Sequence, residues 1–479
     1  MKSLQKLFHK HTFILFLLYC GILTILYSTL SIIRHNHFQS GAFDLGLYDQ
    51  AVWKFGHMLG PYNTVKDRII FGDHFVLTLP IFGILFYLWD NVRILLIVQA
   101  FAIVTSAIPI FLIAKKRLSS LVSAFCIGIL YSLFYGIQFG VYFDFHPIII
   151  GVAIISWLAY FWEYEKKVLF WITLVVGLAT QENMGIAIAG LAAIFFFRKS
   201  HWKKALLVGI VGIVYSLLSV KISALFSPVG YQYLPQLPTS IGDAFTQLFD
   251  SEEKRQVWLY SFATFSFLPI FSLGSVIAVL MDLSQYFVTG PEFARMWSPF
   301  MHHRAILAPF LVLGTIDVLA FLRARKIRVA YISIVLLCVS FILQYVFHFP
   351  LNKLTKSEYW KEEPWMQDTR QLLSLVPKNA SVAAQQNLVP HLSHRNEIYL
   401  VWPRQHDIEE KPCGQTLCWW LDFGGNPDYL VVDTRPDQWL TQTLESNENW
   451  NTAIMNMERV GKIRLENAVG GARIYRIVK

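Results

Sequence analysis

The residues best able to do chemistry in this chain are carboxylates, histidines and one arginine that interrupt otherwise apolar sequence. They fall in five short motifs: FDLGLYDQ (Phe43 to Gln50), GDHF (Gly72 to Phe75), FDFHP (Phe143 to Pro147), QEN (Gln181 to Asn183) and MHHR (Met301 to Arg304). A carboxylate is costly beside a bilayer, so acidic groups recurring at the ends of apolar segments ask for a functional explanation. At a membrane edge such a group can serve as a general base. Arginine binds phosphate oxygens bidentately and histidines donate hydrogen bonds, so His302, His303 and Arg304 read as an anion site.

Each motif also has a plainer reading. Asp44 could cap a short amphipathic helix running to about Phe55, and Asp73 and His74 could be solvated loop groups. His146 could be a helix-entry residue ahead of Pro147, Glu182 could complement the next helix N-terminus, and Arg304 could snorkel to headgroups. Asp144, set between Phe143 and Phe145, is the hardest to dismiss. Asp49 follows Asp44 by roughly 140° around a helix, so both cannot face one substrate unless the helix starts between them. One of the pair is expected to be structural. Asp44, Asp73, His74, Asp144, His146 and Glu182 are also the set that could converge on a divalent cation: magnesium or manganese with carboxylate ligands, zinc if several histidines joined.

The elements that position these motifs follow from composition. Of 479 residues 55% are hydrophobic and 15% charged, and long apolar runs recur from Phe13 to Phe349, which is the pattern of an α-helical polytopic membrane protein. The first run, Phe13 to Ile33, is long for a signal-peptide core and lacks a small-residue exit, so it reads as a retained span. The net charge of +9 does not indicate nucleic acid, because the basic residues punctuate apolar runs. By the positive-inside rule the clusters Lys2/Lys6/Lys10, Lys115/Lys116/Arg117, Lys166/Lys167, Arg198/Lys199/Lys203/Lys204 and Arg323/Arg325/Lys326/Arg328 are cytoplasmic.

Expected spans lie near 13–33, 92–114, 119–136, 147–162, 168–180, 184–197, 205–226, 257–272, 274–289, 304–322 and 328–348, about 11 crossings. They put the N-terminus inside, the C-terminus outside and all five motifs on the outer face. Phe75 to Trp89 is too short to span and contains Pro80, so an interfacial or re-entrant segment is expected there.

From about Asn352 charged residues and Trp, Pro and Asn become common and apolar runs shrink to strand length. The expected division is a transmembrane domain, 1–351, carrying an outer loop 34–91, and a soluble α/β domain, 352–479, on the outer face. In that domain Glu363 to Leu375 reads as a helix. Ser381 to Ala384, Ile398 to Val401 and Tyr429 to Val432 read as strands, with a hairpin at Gly470-Gly471. Cys20, Cys126 and Cys338 lie in spans. Cys413 and Cys418 form CGQTLC, where a disulfide and free thiols are equally compatible with the spacing.

In this order FDLGLYDQAVW, GDHF, a span containing Gln99, FDFHP, QEN, HHR and NLVPHLSHRNEIY (Asn387 to Tyr399) resemble the prokaryotic membrane-protein family catalogued as domain of unknown function 2079. The family usually shows Lys-Glu-Asp where this chain has Gln181-Glu182-Asn183. That family is in turn similar in architecture to the GT-C superfamily of membrane glycosyltransferases. The resemblance implies a polyprenyl-phosphate sugar donor drawn from the membrane lipid and a glycan, lipid or protein acceptor. It also implies catalytic carboxylates in the first outer loop, at Asp44 or Asp49, and after the third span, at Asp144. Binding roles would then fall to Asp49, Asp73, His74, His146, Glu182, His302, His303 and Arg304. The competing readings are a transporter or flippase, for which the mid-span charges Asp282 and Lys221 speak, and a non-catalytic membrane scaffold.

Overall fold

A computed structural model describes residues 2–198, 201–234, 238–435 and 445–479, with side chains from residue 11 onward. Lys199 of the expected fourth basic cluster lies outside the described residues, as do the side chains of Lys2, Lys6 and Lys10. The chain forms two compact units, one of residues 1–31, 71–78 and 96–356 and one of residues 32–70, 79–95 and 357–479.

The first unit is helical. Among the described residues five helices are long and apolar enough to cross a membrane: His11–Asn36, Arg93–Leu118, Trp202–Leu225, His302–Ala324 and Val329–Val346. A sixth crossing is available to the pair Leu121–Ser132 and Tyr135–Tyr142, which is bent by 43°. Four shorter apolar helices, Pro147–Glu163, Lys167–Leu178, Met184–Phe196 and Leu273–Phe287, occupy further expected segments. The stretch 257–289 is two helices rather than one. Ser266 and Phe267 take left-handed backbone at φ 46° and 59°, and a 3-10 turn, Leu268–Phe271, with Pro269 buried, separates Glu252–Ala263 from Leu273–Phe287.

Inside this unit small residues let helices approach backbone to backbone. A Cβ on Gly185 would lie 2.2 Å from the Gly212 carbonyl oxygen, so Met184–Phe196 and Trp202–Leu225 can pack this closely only with glycine at the crossing.

The basic clusters converge at one end of these helices. Arg117 and Arg198 lie 2.9 and 3.0 Å from Asp317, Arg198 also pairs with Glu163 at 2.7 Å, and Arg323 bonds Ser119. Glu163 and Arg198 follow the C-termini of helices whose N-termini carry FDFHP and QEN. HHR begins the span that ends near Arg323. These cationic residues therefore lie at the opposite helix ends from FDFHP, QEN and HHR.

The second unit is α/β. A π-helical turn, Ala42–Gly46, runs into the helix Leu47–Gly56, followed by the short hairpin β1 (Tyr62–Asn63) and β2 (Arg68–Ile69) and a 3-10 run, Leu79–Tyr87, in the expected interfacial segment. A six-stranded sheet comprises β3 (Val382–Ala384), β4 (Ile398–His406), β5 (Cys418–Phe423), β6 (Tyr429–Asp433), β7 (Ile463–Val469) and β8 (Ala472–Ile477), in the order β5-β4-β3-β6-β8-β7. β3 runs parallel to β4 and β6, and the other pairings are antiparallel. Helix Asn447–Arg459 buries Trp450, Ala453, Ile454 and Met457 in the core that also holds Val401, Leu421, Leu430 and Val432. Cys413 and Cys418 are joined as a disulfide just before β5.

Candidate functional site

In the membrane unit, four of the five motifs gather. The FDFHP loop is held from below by Gln99, buried in its span: its amide nitrogen donates to the Gly140 and Asp144 carbonyls and its oxygen accepts from the His146 backbone N–H at 2.8 Å. Pro147 opens the next helix as its fixed φ favours, with His146 at the cap position. Asp144 and His146 are both buried.

The His146 ring stacks on His302 with centroids 3.7 Å apart, His302 lies 4.0 Å from His303, and His303 lies 4.6 Å from Tyr286. This column ends beside Arg304, which is wholly buried and so does not snorkel. Its guanidinium donates to the Met296 and Ser298 carbonyls and lies over Tyr286 and Phe287. Nη1 of Arg304 and Nδ1 of both His302 and His303 are buried without a hydrogen-bond partner. Nη1 of Arg304 is a donor, and each Nδ1 is one in one tautomer of its ring; buried polar nitrogens left unpaired are rare and costly, so three in adjacent residues describe a place where a polar group belongs.

GDHF packs beside this column. Gly72 must be glycine, since a Cβ there would sit 2.4 Å from the Phe226 carbonyl oxygen. Asp73 is buried rather than solvated, and its Oδ1 accepts from the Tyr233 hydroxyl at 3.0 Å. The His74 ring stacks on Tyr233 at 4.6 Å, and its Nδ1 is 2.6 Å from Glu182 Oε1. Glu182 Oε2 accepts from the Phe75 backbone N–H at 2.8 Å and Oε1 from the Tyr231 hydroxyl at 2.7 Å, while Ser216 bonds its carbonyl. Glu182 is thus a knot joining three segments, not a complement to the helix that follows it. Burial works against its charge, but His74 and the donated hydrogen bonds outweigh that and hold its carboxyl below the usual range. Asn183 reaches Tyr286 at 3.0 Å.

The two charges that favoured a transporter find other settings. Lys221 is exposed on the outside of its helix, and Asp282 lies within electrostatic reach of Arg304.

In the second unit Asp44 and Asp49 have different fates. Asp44 is half-buried in the π-helical turn. Gly41, not Asp44, is the cap residue, so the capping reading does not hold. The α-helix begins at Leu47, between the two carboxylates. Asp49 is fully buried, accepting from Ser393 and pairing with His394 Nε2 at 3.1 Å, while Asp90 takes His394 Nδ1 at 2.9 Å. Burial alone would lower the His394 pKa, but Asp49 and Asp90 together keep it raised. Next to it Gln50 binds Thr64 and the Asn396 carbonyl, so the first motif is tied to the NLVPHLSHRNEIY segment by side chains on both strands of sequence. Gly46 permits that approach: a Cβ there would press on Val389 at 2.8 Å.

Motif reading missed Tyr231, Tyr233 and Tyr286, which bond or stack on motif residues, and it gave no role to Ser393 and His394 within NLVPHLSHRNEIY. Among the described residues no group of three or more His, Cys, Asp or Glu is arranged to hold a metal ion. Of the set expected to converge on a divalent cation, Asp73 is bonded to Tyr233, and His74 and Glu182 to each other.

The family model described as "Predicted membrane protein (DUF2079)" matches residues 34–456. No curated protein matches the sequence. Among solved structures, the crystal structure of ArnT from Cupriavidus metallidurans bound to undecaprenyl phosphate is similar. Its TM-score is 0.57 at 10% identity, over 97% of this chain and 98% of that one. The GT-C-type fold therefore extends over nearly the entire chain.

Proposed function

The chain belongs to the DUF2079 family of membrane proteins, and from that premise we propose that it is an integral-membrane glycosyltransferase using a polyprenyl-phosphate-linked sugar at the outer face of the membrane. The observation that carries the reading is the trio of unpaired buried nitrogens on His302, His303 and Arg304, each of which can donate a hydrogen bond. A phosphate that leaves with negative charge is what such preorganised donors stabilise. The fold shared with a protein bound to undecaprenyl phosphate supports a polyprenyl lipid as the partner.

In the proposed reaction the acceptor hydroxyl oxygen attacks the anomeric carbon as the bond from that carbon to the phosphate oxygen breaks. The hydroxyl proton passes to a carboxylate, and polyprenyl phosphate leaves with the bonding electron pair, inverting the anomeric centre. Asp44 is the assigned base because Asp49 is consumed by Ser393 and His394. Asp144 orients the acceptor, and Asp73, His74 and Glu182 keep the GDHF loop in place. The protein would sit in the membrane with its N-terminus inside and its C-terminal domain outside.

The test compares surface glycans from cells carrying wild type, Asp44→Asn, Asp144→Asn and Arg304→Gln at equal expression. Loss of one glycan species in all three variants is expected, with undecaprenyl phosphate binding weakened about tenfold or more in Arg304→Gln, since charge-assisted bonds are each worth about 1.5–3 kcal/mol. Unchanged glycans in both aspartate variants would overturn the proposal.

A further inference from the structure

A cavity of about 400 Å³ opens in the membrane unit between the loop helix Ile241–Gln247, the start of Glu252–Ala263 and the segment 288–297, and none of the five motifs lines it. Its volume is that of a small-ligand site. Lys254, only 1% exposed, projects beneath it. The ammonium donates to the Gln247 carbonyl at 2.8 Å, Asp250 Oδ1 at 2.7 Å and the Phe287 carbonyl at 2.9 Å. All three of its protons are therefore committed, and no cation is left to hold an anion.

The remaining polar lining is mostly acceptor: the Asp243 and Asp250 carboxylates, the Thr289 hydroxyl and Gln247 Oε1, which is buried without a partner. Trp297 forms one wall, pinned by its Nε1 donating to Thr289 at 3.2 Å and by Lys254 3.8 Å from its ring centroid. An unpartnered buried amide oxygen, with carboxylates that have acceptor capacity to spare, beside an indole wall matches a sugar, with its ring of hydroxyls and its apolar C–H faces.

The other side of the same loop helix is apolar. Ile241 and Phe245 are 90% and 68% exposed and stand one above the other at i and i+4, with Phe249 a turn further on. The preceding span, Trp202–Leu225, presents Leu217, Leu218, Ile222 and Leu225 outward, and Val229 and Leu234 continue that surface into the loop. Exposed apolar residues thus occur on the span, on the loop and on the side of the loop helix away from the cavity, the composition of an interfacial amphipathic helix.

We propose that Ile241–Gln247 lies in the membrane interface and that the cavity on its polar side takes the sugar headgroup of a membrane glycolipid. The apolar stripe selects a lipid over a free sugar, because it holds the cavity mouth at headgroup depth. The proposal concerns binding alone and does not require glycosyl transfer.

The experiment reconstitutes the full chain in phosphatidylcholine nanodiscs doped with monoglucosyl diacylglycerol, phosphatidylglycerol or phosphatidylethanolamine, and reads retained lipid by native mass spectrometry. The glucosyl lipid is expected as a one-to-one adduct, at least tenfold above either other dopant. Gln247→Leu, Trp297→Ala and Ile241→Asp should each reduce it about tenfold, and free methyl glucoside should displace it only weakly. Because Trp297 packs on Lys254, Gln247→Leu on the partly exposed loop helix serves as the variant that leaves packing intact. Equal retention of the three dopants, retention unaffected by Gln247→Leu and Ile241→Asp, or equally tight binding of free methyl glucoside would each overturn the proposal. A glycan profile lost in Asp44→Asn would be unaffected by that failure.

Discussion

Replacing Asp49 by Asn separates a structural carboxylate from a catalytic one. Asp49 is fully buried and binds Ser393 and His394, whose side chain is 23% exposed, and Asp90 on the far side of the imidazole is 59% exposed. Breaking a fully buried ion pair costs about 3–5 kcal/mol. Here the amide of Asn still accepts from Ser393, and Asp90 still holds His394 on its solvent side, so the loss is about 2 kcal/mol. That is a factor of about 30 in the folded ratio, or a midpoint lowered by about 4–8 °C for a unit in the 150–250-residue class.

The pH dependence follows from the raised pKa of His394. A raised value means the pair stabilises fully below the ordinary histidine pKa of about 6.5 and loses that contribution as pH rises through the folded value. Thermal unfolding of the detergent-solubilised chain, followed by intrinsic fluorescence at pH 6 and pH 9, should therefore show a wide gap between wild type and Asp49→Asn at pH 6 and a narrower one at pH 9. A gap that is absent, or equal at both pH values, refutes the ion-pair reasoning. Lost glycans with unchanged stability would make Asp49 the base in place of Asp44.

Gly72→Ala should cost about 1–3 kcal/mol and displace the GDHF loop, because the new methyl meets backbone at Phe226, which cannot rotate away. Gly21→Ala, with nothing within 4 Å of the added Cβ, should leave the midpoint unchanged or slightly raised in the same thermal assay. The Cys413–Cys418 bridge closes a short loop, so its reduction should remove about 2 kcal/mol from the C-terminal unit. In intact cells these two thiols should resist a maleimide reagent until reductant is added, and labelling without reductant would contradict an outer-face location.

Apolar runs made the helices legible, because a span needs a length of hydrophobic sequence that no other element needs. Pro147 and the Gly470-Gly471 turn were legible for an equally local reason: each fixes its own backbone. Helix Asn447–Arg459 carried a readable pattern too, with Trp450, Ala453, Ile454 and Met457 at helical spacing, but its asparagines and polar neighbours resemble loop. β5 was obscured because it is an edge strand in which only Cys418 and Leu421 are buried, so it lacks the period-2 alternation that marks a strand. Nothing local reveals that Tyr231 binds Glu182 or that Tyr233 binds Asp73, since those contacts join residues 49 and 160 positions apart. The same holds for Ser393 and His394 on Asp49, more than 340 positions away.

These long-range contacts change what the expensive charges mean. Cost alone made every carboxylate in the motifs equally suspect, yet a buried carboxylate can be retained for the segments it ties together as well as for chemistry. Glu182 spends its oxygens on His74, the Phe75 amide and Tyr231, and Asp49 spends its own on Ser393 and His394. For Glu182 the donors that hold its carboxyl below the usual range also make it a poor base, and Asp49 is enclosed by its two partners. Asp44 lies half-buried on its π-helical turn, in a backbone form that is uncommon and concentrated at functional positions. For the proposed phosphate the logic runs the other way: Arg304 Nη1 and the Nδ1 atoms of His302 and His303 are buried without a hydrogen-bond partner, the opposite condition to that of the Glu182 and Asp49 oxygens.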